Sequence, residues 1–86
     1  MQVIVNGEQA DMPVTFKRAA TSLESDRLLV GDWEVTRVTH SLRDDVPVIV
    51  QVDELIVEVP RQAFYQIPGM SYDWQPGDSS QALGGG

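Results

Sequence analysis

Eighty-six residues leave room for one domain, and a chain this short buries only about 60% of its unfolded surface. The lack of cysteine excludes disulfide staples and thiolate metal sites, and a single histidine, His40, excludes a His-rich zinc site. Thirteen acidic residues against six basic ones, a net charge of −7, argue against direct binding to a phosphate backbone.

Taken in order, Val3, Ile4 and Val5 predict a first strand that stops at the turn pair Asn6-Gly7. Glu8 to Asp11 are expected to extend that turn into a longer loop. Met12, Val14 and Phe16 then alternate with Pro13, Thr15 and Lys17, the pattern of a second strand with one apolar face. Pro13 cannot donate to a ladder and so marks the strand's start or an edge. Thr21-Ser22-Leu23-Glu24 has capping-box spacing and predicts one short helix, of two turns or a 3₁₀ segment, using Leu23, Leu28 and Leu29. The opening MQVIVNG lacks a basic leader, and no apolar run is long enough to cross a bilayer, so the expectation is a cytoplasmic chain without membrane contact.

The densest β-forming stretch runs from Val30 to Val59, punctuated by Gly31-Asp32 and Arg43-Asp44-Asp45. Trp33 to Leu42 and Val46 to Val52 are predicted to pair as a hairpin, with Trp33 in its core. Val48, Val50 and Val52 share one face, whereas Leu55, Val57 and Val59 are out of phase by one residue. A strand of period two permits this only through a bulge or a turn at Asp53-Glu54. The fold class expected is therefore mainly β, a small barrel or sandwich of two hairpins with one short helix and an extended C-terminal arm.

Composition changes after Pro60, so the division expected is a β-rich domain over 1–61 and an arm over 62–86. That arm holds five of the seven glycines and four of the six aromatic residues. Turn-like runs around Pro68 and Pro76 deny it a core of its own, and the stretch from Asp78 onward is expected to be disordered. Its aromatics are too numerous for a plain linker. Either the arm folds back as a cover or it lies on a neighbour. The second reading makes Phe64, Tyr65, Met70, Tyr72 and Trp74 the candidate interface residues.

No constellation predicts an enzyme. His40 on a strand beside Thr39 and Ser41 lacks the nucleophile, base and orienting group in mutual reach, and reads instead as a half-buried residue bonded to backbone or water. Asp44-Asp45 and Asp53-Glu54 could approach a hard cation such as calcium, but the alternating ligand ladder of a calcium loop is missing. Gly7 and Gly31 belong to no phosphate-cradling motif. No catalytic, cofactor-binding or metal residues are assigned. The acidic surface reads as a solubility device, with a small inhibitor mimicking nucleic acid as the alternative.

Two family resemblances bear on function. GDWEVTRVTHSL followed by a β-rich run, over Gly31 to Val52, resembles the closing hairpin of phage tail hub proteins of the late control D family. Gly31, Trp33, Val35, Val38, His40 and Leu42 carry the match, and VPVIVQV departs from that family's Thr-rich second strand. This resemblance implies a virion structural protein of the tail or baseplate, less so a capsid cement. It would be made in a bacterial cytoplasm and act by assembly with other particle proteins and as a homo-oligomer. Separately, MQVIVNGE with a terminal Gly-Gly-Gly resembles ubiquitin-like modifiers and sulfur carriers, in which a glycine tail threads an activating enzyme. There a substantial helix follows the first hairpin, whereas the helix predicted here is short.

Overall fold

Asn6 and Gly7 both adopt positive φ, 49° and 88°, and close a two-residue hairpin between β1 (Gln2–Val5) and β2 (Glu8–Asp11), with Val5 opposite Glu8. The loop expected over Glu8 to Asp11 is thus a strand, because an Asn-Gly pair in this conformation matches the twist of the strands it joins. In the computed structural model, which describes residues 1–41, 43–71 and 73–78, six further strands follow among the described residues. They are β3 (Val14–Lys17), β4 (Arg27–Val30), β5 (Trp33–Glu34), β6 (Arg37–Thr39), β7 (Val48–Val52) and β8 (Leu55–Val59). The helix α1 (Arg61–Phe64) comes last.

The strands form two antiparallel sheets, one in the order β2-β1-β8-β7-β6 and one in the order β3-β4-β5. The mainly β class is as expected, but the sheets stay open instead of closing into a barrel, and there are more hairpins than two. Asp53, at φ 52°, turns the chain between β7 and β8 with Val52 opposite Leu55. That turn accounts for the phase change in the apolar pattern. Val48, Val50 and Val52 consequently face the core beside Val59, Val57 and Leu55. Val48, Val50, Val57 and Val59 have no exposed surface, and burial of each stabilises the fold by about 1.5–3 kcal/mol. The second sheet completes the core with Leu28 and Val30, beside the half-buried Val14 and Phe16 paired opposite them.

Two local expectations are corrected. The Thr21 segment makes a single turn instead of a helix: the Thr21 hydroxyl accepts from Leu23 N–H and the Glu24 carboxylate accepts from Ala20 N–H, each at 3.3 Å. Leu23 is 96% exposed, so no apolar face exists to extend the turn, and Leu28 and Val30 alternate as strand residues of β4. The one short helix lies at Arg61–Phe64, after the last strand. The predicted strand from Trp33 to Leu42 is also divided. Val35 N–H donates to Leu28 O and Thr36 N–H to Gln51 O, both at 2.8 Å, so the chain leaves the small sheet and enters the large one between these residues. Leu42 lies outside the described residues. No helix among the described residues is long and apolar enough to cross a membrane.

The segment after Pro60 is part of this core. Phe64, Ile67 and Trp74 are buried together with the valines of the large sheet and with Leu28 and Val30. Asp78 is positioned too, its carbonyl accepting from Asp26 N–H at 2.8 Å and its carboxylate from Gln75 N–H at 2.9 Å. Ser79 to Gly86, the rest of the stretch expected to be disordered, lie outside the described residues.

Candidate functional site

Trp33 occupies an environment opposite to the one expected, and Trp74 takes the folded-back alternative of the two left open. Trp33, predicted in the core, is 44% exposed, because β5 is only two residues long and sits at the free edge of the small sheet. Trp74, a candidate interface anchor, is 3% exposed and meets Phe16 edge to face, with ring centroids 5.4 Å apart. Among the described residues its buried indole N–H has no hydrogen-bond partner, and packing holds the ring there.

Two of the other candidate interface residues, Phe64 and Tyr65, pack against His40. Phe64 is fully buried and meets the imidazole edge to face at 5.8 Å. Tyr65 is half-buried and stacks on the imidazole at 5.9 Å. His40 Nε2 lies 3.2 Å from the carbonyl oxygen of Trp74, and Nδ1 lies 2.8 Å from the Tyr65 hydroxyl. A carbonyl only accepts, so Nε2 donates to Trp74, while Nδ1 shares a hydrogen bond with the Tyr65 hydroxyl. With both nitrogens hydrogen-bonded, the imidazole ties the end of β6 to the C-terminal segment. Met70 is half-buried against the core, and Tyr72 lies outside the described residues. Burial thus leaves Phe64 and Trp74 inside their own chain, where the reading of an arm laid on a neighbour placed them at an interface.

Arg61 reinforces the same junction from α1. Its guanidinium donates to the carbonyls of Ser41 and, at 3.1 Å, Arg43, while lying 5.3 Å from the centre of the Tyr65 ring. An ion pair with Asp44 at 3.9 Å adds little, since that carboxylate is fully exposed. Asp44 and Asp45 thus pair with Arg61 and Arg43. Among the described residues no three His, Cys, Asp or Glu side chains converge as a metal site would need.

What remains for recognition is surface. Trp33 stands out on the small sheet, two residues past the Gly31-Asp32 turn, with Gly31 at φ 61°. Ile56 is 42% exposed on the outer face of the large sheet, near a shallow hollow of about 150 Å³ lined by Ile4, Gln9, Pro47, Glu58 and Pro60. The charged neighbours Asp32 and Glu34 were the available signal that Trp33 lies on a solvent-facing strand. Among the described residues the chain is thus a small open two-sheet antiparallel β protein whose aromatic cluster packs into its core and whose exposed large apolar residues include Trp33 and Ile56 on the sheets and Leu23 in the Thr21 turn. Comparisons with family models, with curated proteins and with solved structures find no match for this chain.

Proposed function

We propose that this protein is a non-enzymatic structural component of a phage or phage-tail-like particle, acting in the tail or baseplate through protein–protein contacts. The observation that carries this reading is Trp33. Within the stretch that resembles the tail hub hairpin, Gly31 makes a turn, Val35 and Val38 are buried, and His40 holds the C-terminal segment. Trp33 alone among these presents a large ring to solvent, and tryptophan is the residue type most enriched in binding hot spots. The ubiquitin-like alternative loses support, since the first hairpin is followed by β3 and not by a helix, and the glycine tail lies outside the described residues.

Particle incorporation tests the proposal. Tail-like particles purified from the source organism should contain the chain, and Trp33→Ala protein, folded by circular dichroism, should be excluded from them. Recovery in heads rather than tails would move the role to capsid cement. Absence from both, or normal incorporation of the variant, would overturn the reading.

A further inference from the structure

We infer that the outer face of the five-stranded sheet docks against the same face of a second copy of this chain, through reciprocal Arg37–Glu58 pairs around an apolar centre. Cross-strand register fixes what this face presents. One row runs Gln9, Ile4, Glu58, Ile49, Thr39, and the next contains Ile56, Gln51 and Arg37. Ile4 and Ile49 flank Glu58 directly, and Ile56 is the most exposed of the three isoleucines on this face. Neither the Glu58 carboxylate nor the Arg37 guanidinium has a hydrogen-bond or ion-pair partner among the described residues.

Electrostatics selects this surface for self-association. The whole chain carries −7, so most pairs of its surfaces would oppose like charges. Among the strand residues of this face the only carboxylates are Glu58 and Asp11, and Asp11 accepts the N-terminal ammonium at 2.8 Å. With Arg37 and that ammonium, two positive and two negative charges balance. An interface core depleted of charge, with apolar side chains and amides, is what a protein partner requires.

Geometry makes the pairing reciprocal. Glu58 on β8 and Arg37 on β6 lie on either side of β7, two strand spacings and one row of the register apart, about 12 Å. That is too far for contact within one chain. A two-fold axis lying in the interface over β7 brings Glu58 of each copy onto Arg37 of the other and gathers Ile49, Gln51 and Ile56 near the axis. Such an isologous contact closes as a dimer and does not propagate.

Sedimentation of the full chain at low salt tests this. The mass should rise from 9.5 kDa toward twice that value with concentration. Glu58→Arg and Arg37→Glu should each weaken dimerisation at least about tenfold, and the double reversal should restore it to within about threefold of the original chain. Glu58→Gln and Arg37→Gln, gentler changes on an exposed face, should also weaken it. A chain that stays at 9.5 kDa, single variants that dimerise normally, or a folded double reversal that stays monomeric would each overturn the inference. Because the readout is solution mass, it fails separately from particle incorporation.

Discussion

His40 Nε2 and the carbonyl oxygen of Trp74 lie 3.2 Å apart, and this hydrogen bond joins the end of β6 to a segment that has no strand of its own. The same imidazole takes the Tyr65 hydroxyl and packs against Phe64. Each hydrogen bond contributes about 0.5–1.5 kcal/mol, and the ring contacts add to this. His40→Ala should therefore cost about 2–3 kcal/mol and lower the melting temperature by roughly 8–24 °C, given the 4–8 °C per kcal/mol typical of domains this size. A thermal melt followed by tryptophan fluorescence reports it directly, because loosening the segment wets Trp74. A change below about 2 °C would show that the hydrogen bonds contribute nothing.

The two tryptophans should respond in opposite ways to truncation. Trp74→Ala removes a buried ring from the contact with Phe16 and should cost about 3–5 kcal/mol. Trp33→Ala removes a half-exposed ring at a sheet edge and should cost less than about 1 kcal/mol. Urea denaturation of both variants distinguishes them, and equal losses would contradict the burial difference.

How much of this was legible in the sequence depends on the range of the cause. The turns at Asn6-Gly7 and Asp53-Glu54, and the alternation of Val48, Val50 and Val52, are local and could be read in advance. Burial of Trp74 depends on Phe16 far back in the chain, and no local pattern announces that contact. Exposure of Trp33 depends on the change of sheet between Val35 and Thr36, which interrupts a run of β-forming residues that looks continuous. The Thr21 capping pattern does not start a helix because its side chains accept from Leu23 and Ala20 N–H, each one residue short of the capping-box donor, and close one turn with no apolar face behind it. Phe64 and Trp74 follow the cover alternative for a related reason: a Pro- and Gly-rich segment cannot make its own core, but it can complete another.

Arg61 provides a test of side-chain chemistry at that junction. Its side chain is 17% exposed and caps two carbonyls of the β6–β7 connection. Charged hydrogen bonds contribute about 1.5–3 kcal/mol, so Arg61→Ala should lose about 2–3 kcal/mol. Arg61→Lys should recover only part of this, since Nη1 alone donates to both carbonyls, which an ammonium can imitate, whereas lysine lacks the guanidinium plane that lies 5.3 Å from the centre of the Tyr65 ring. Full recovery by lysine in chemical denaturation would reduce the role to simple charge.

Deleting Tyr72 to Gly86 should unfold the protein instead of releasing an arm. The deletion removes Trp74, at about 3–5 kcal/mol. It also removes the acceptors that His40 Nε2 and Asp26 N–H use, the carbonyls of Trp74 and Asp78, at about 1 kcal/mol each. Asp26 is itself buried, its carboxylate accepting from Ala19 N–H at 2.7 Å, so loss of the Asp78 contact also opens the loop between β3 and β4. The sum, about 5–7 kcal/mol, rivals the roughly 4–13 kcal/mol expected for a chain of this length. The truncated chain should show a weak or absent cooperative transition and broadened amide resonances at room temperature. If it keeps the full-length β signature and melting temperature, the C-terminal segment is dispensable to the core and free to act on a neighbour.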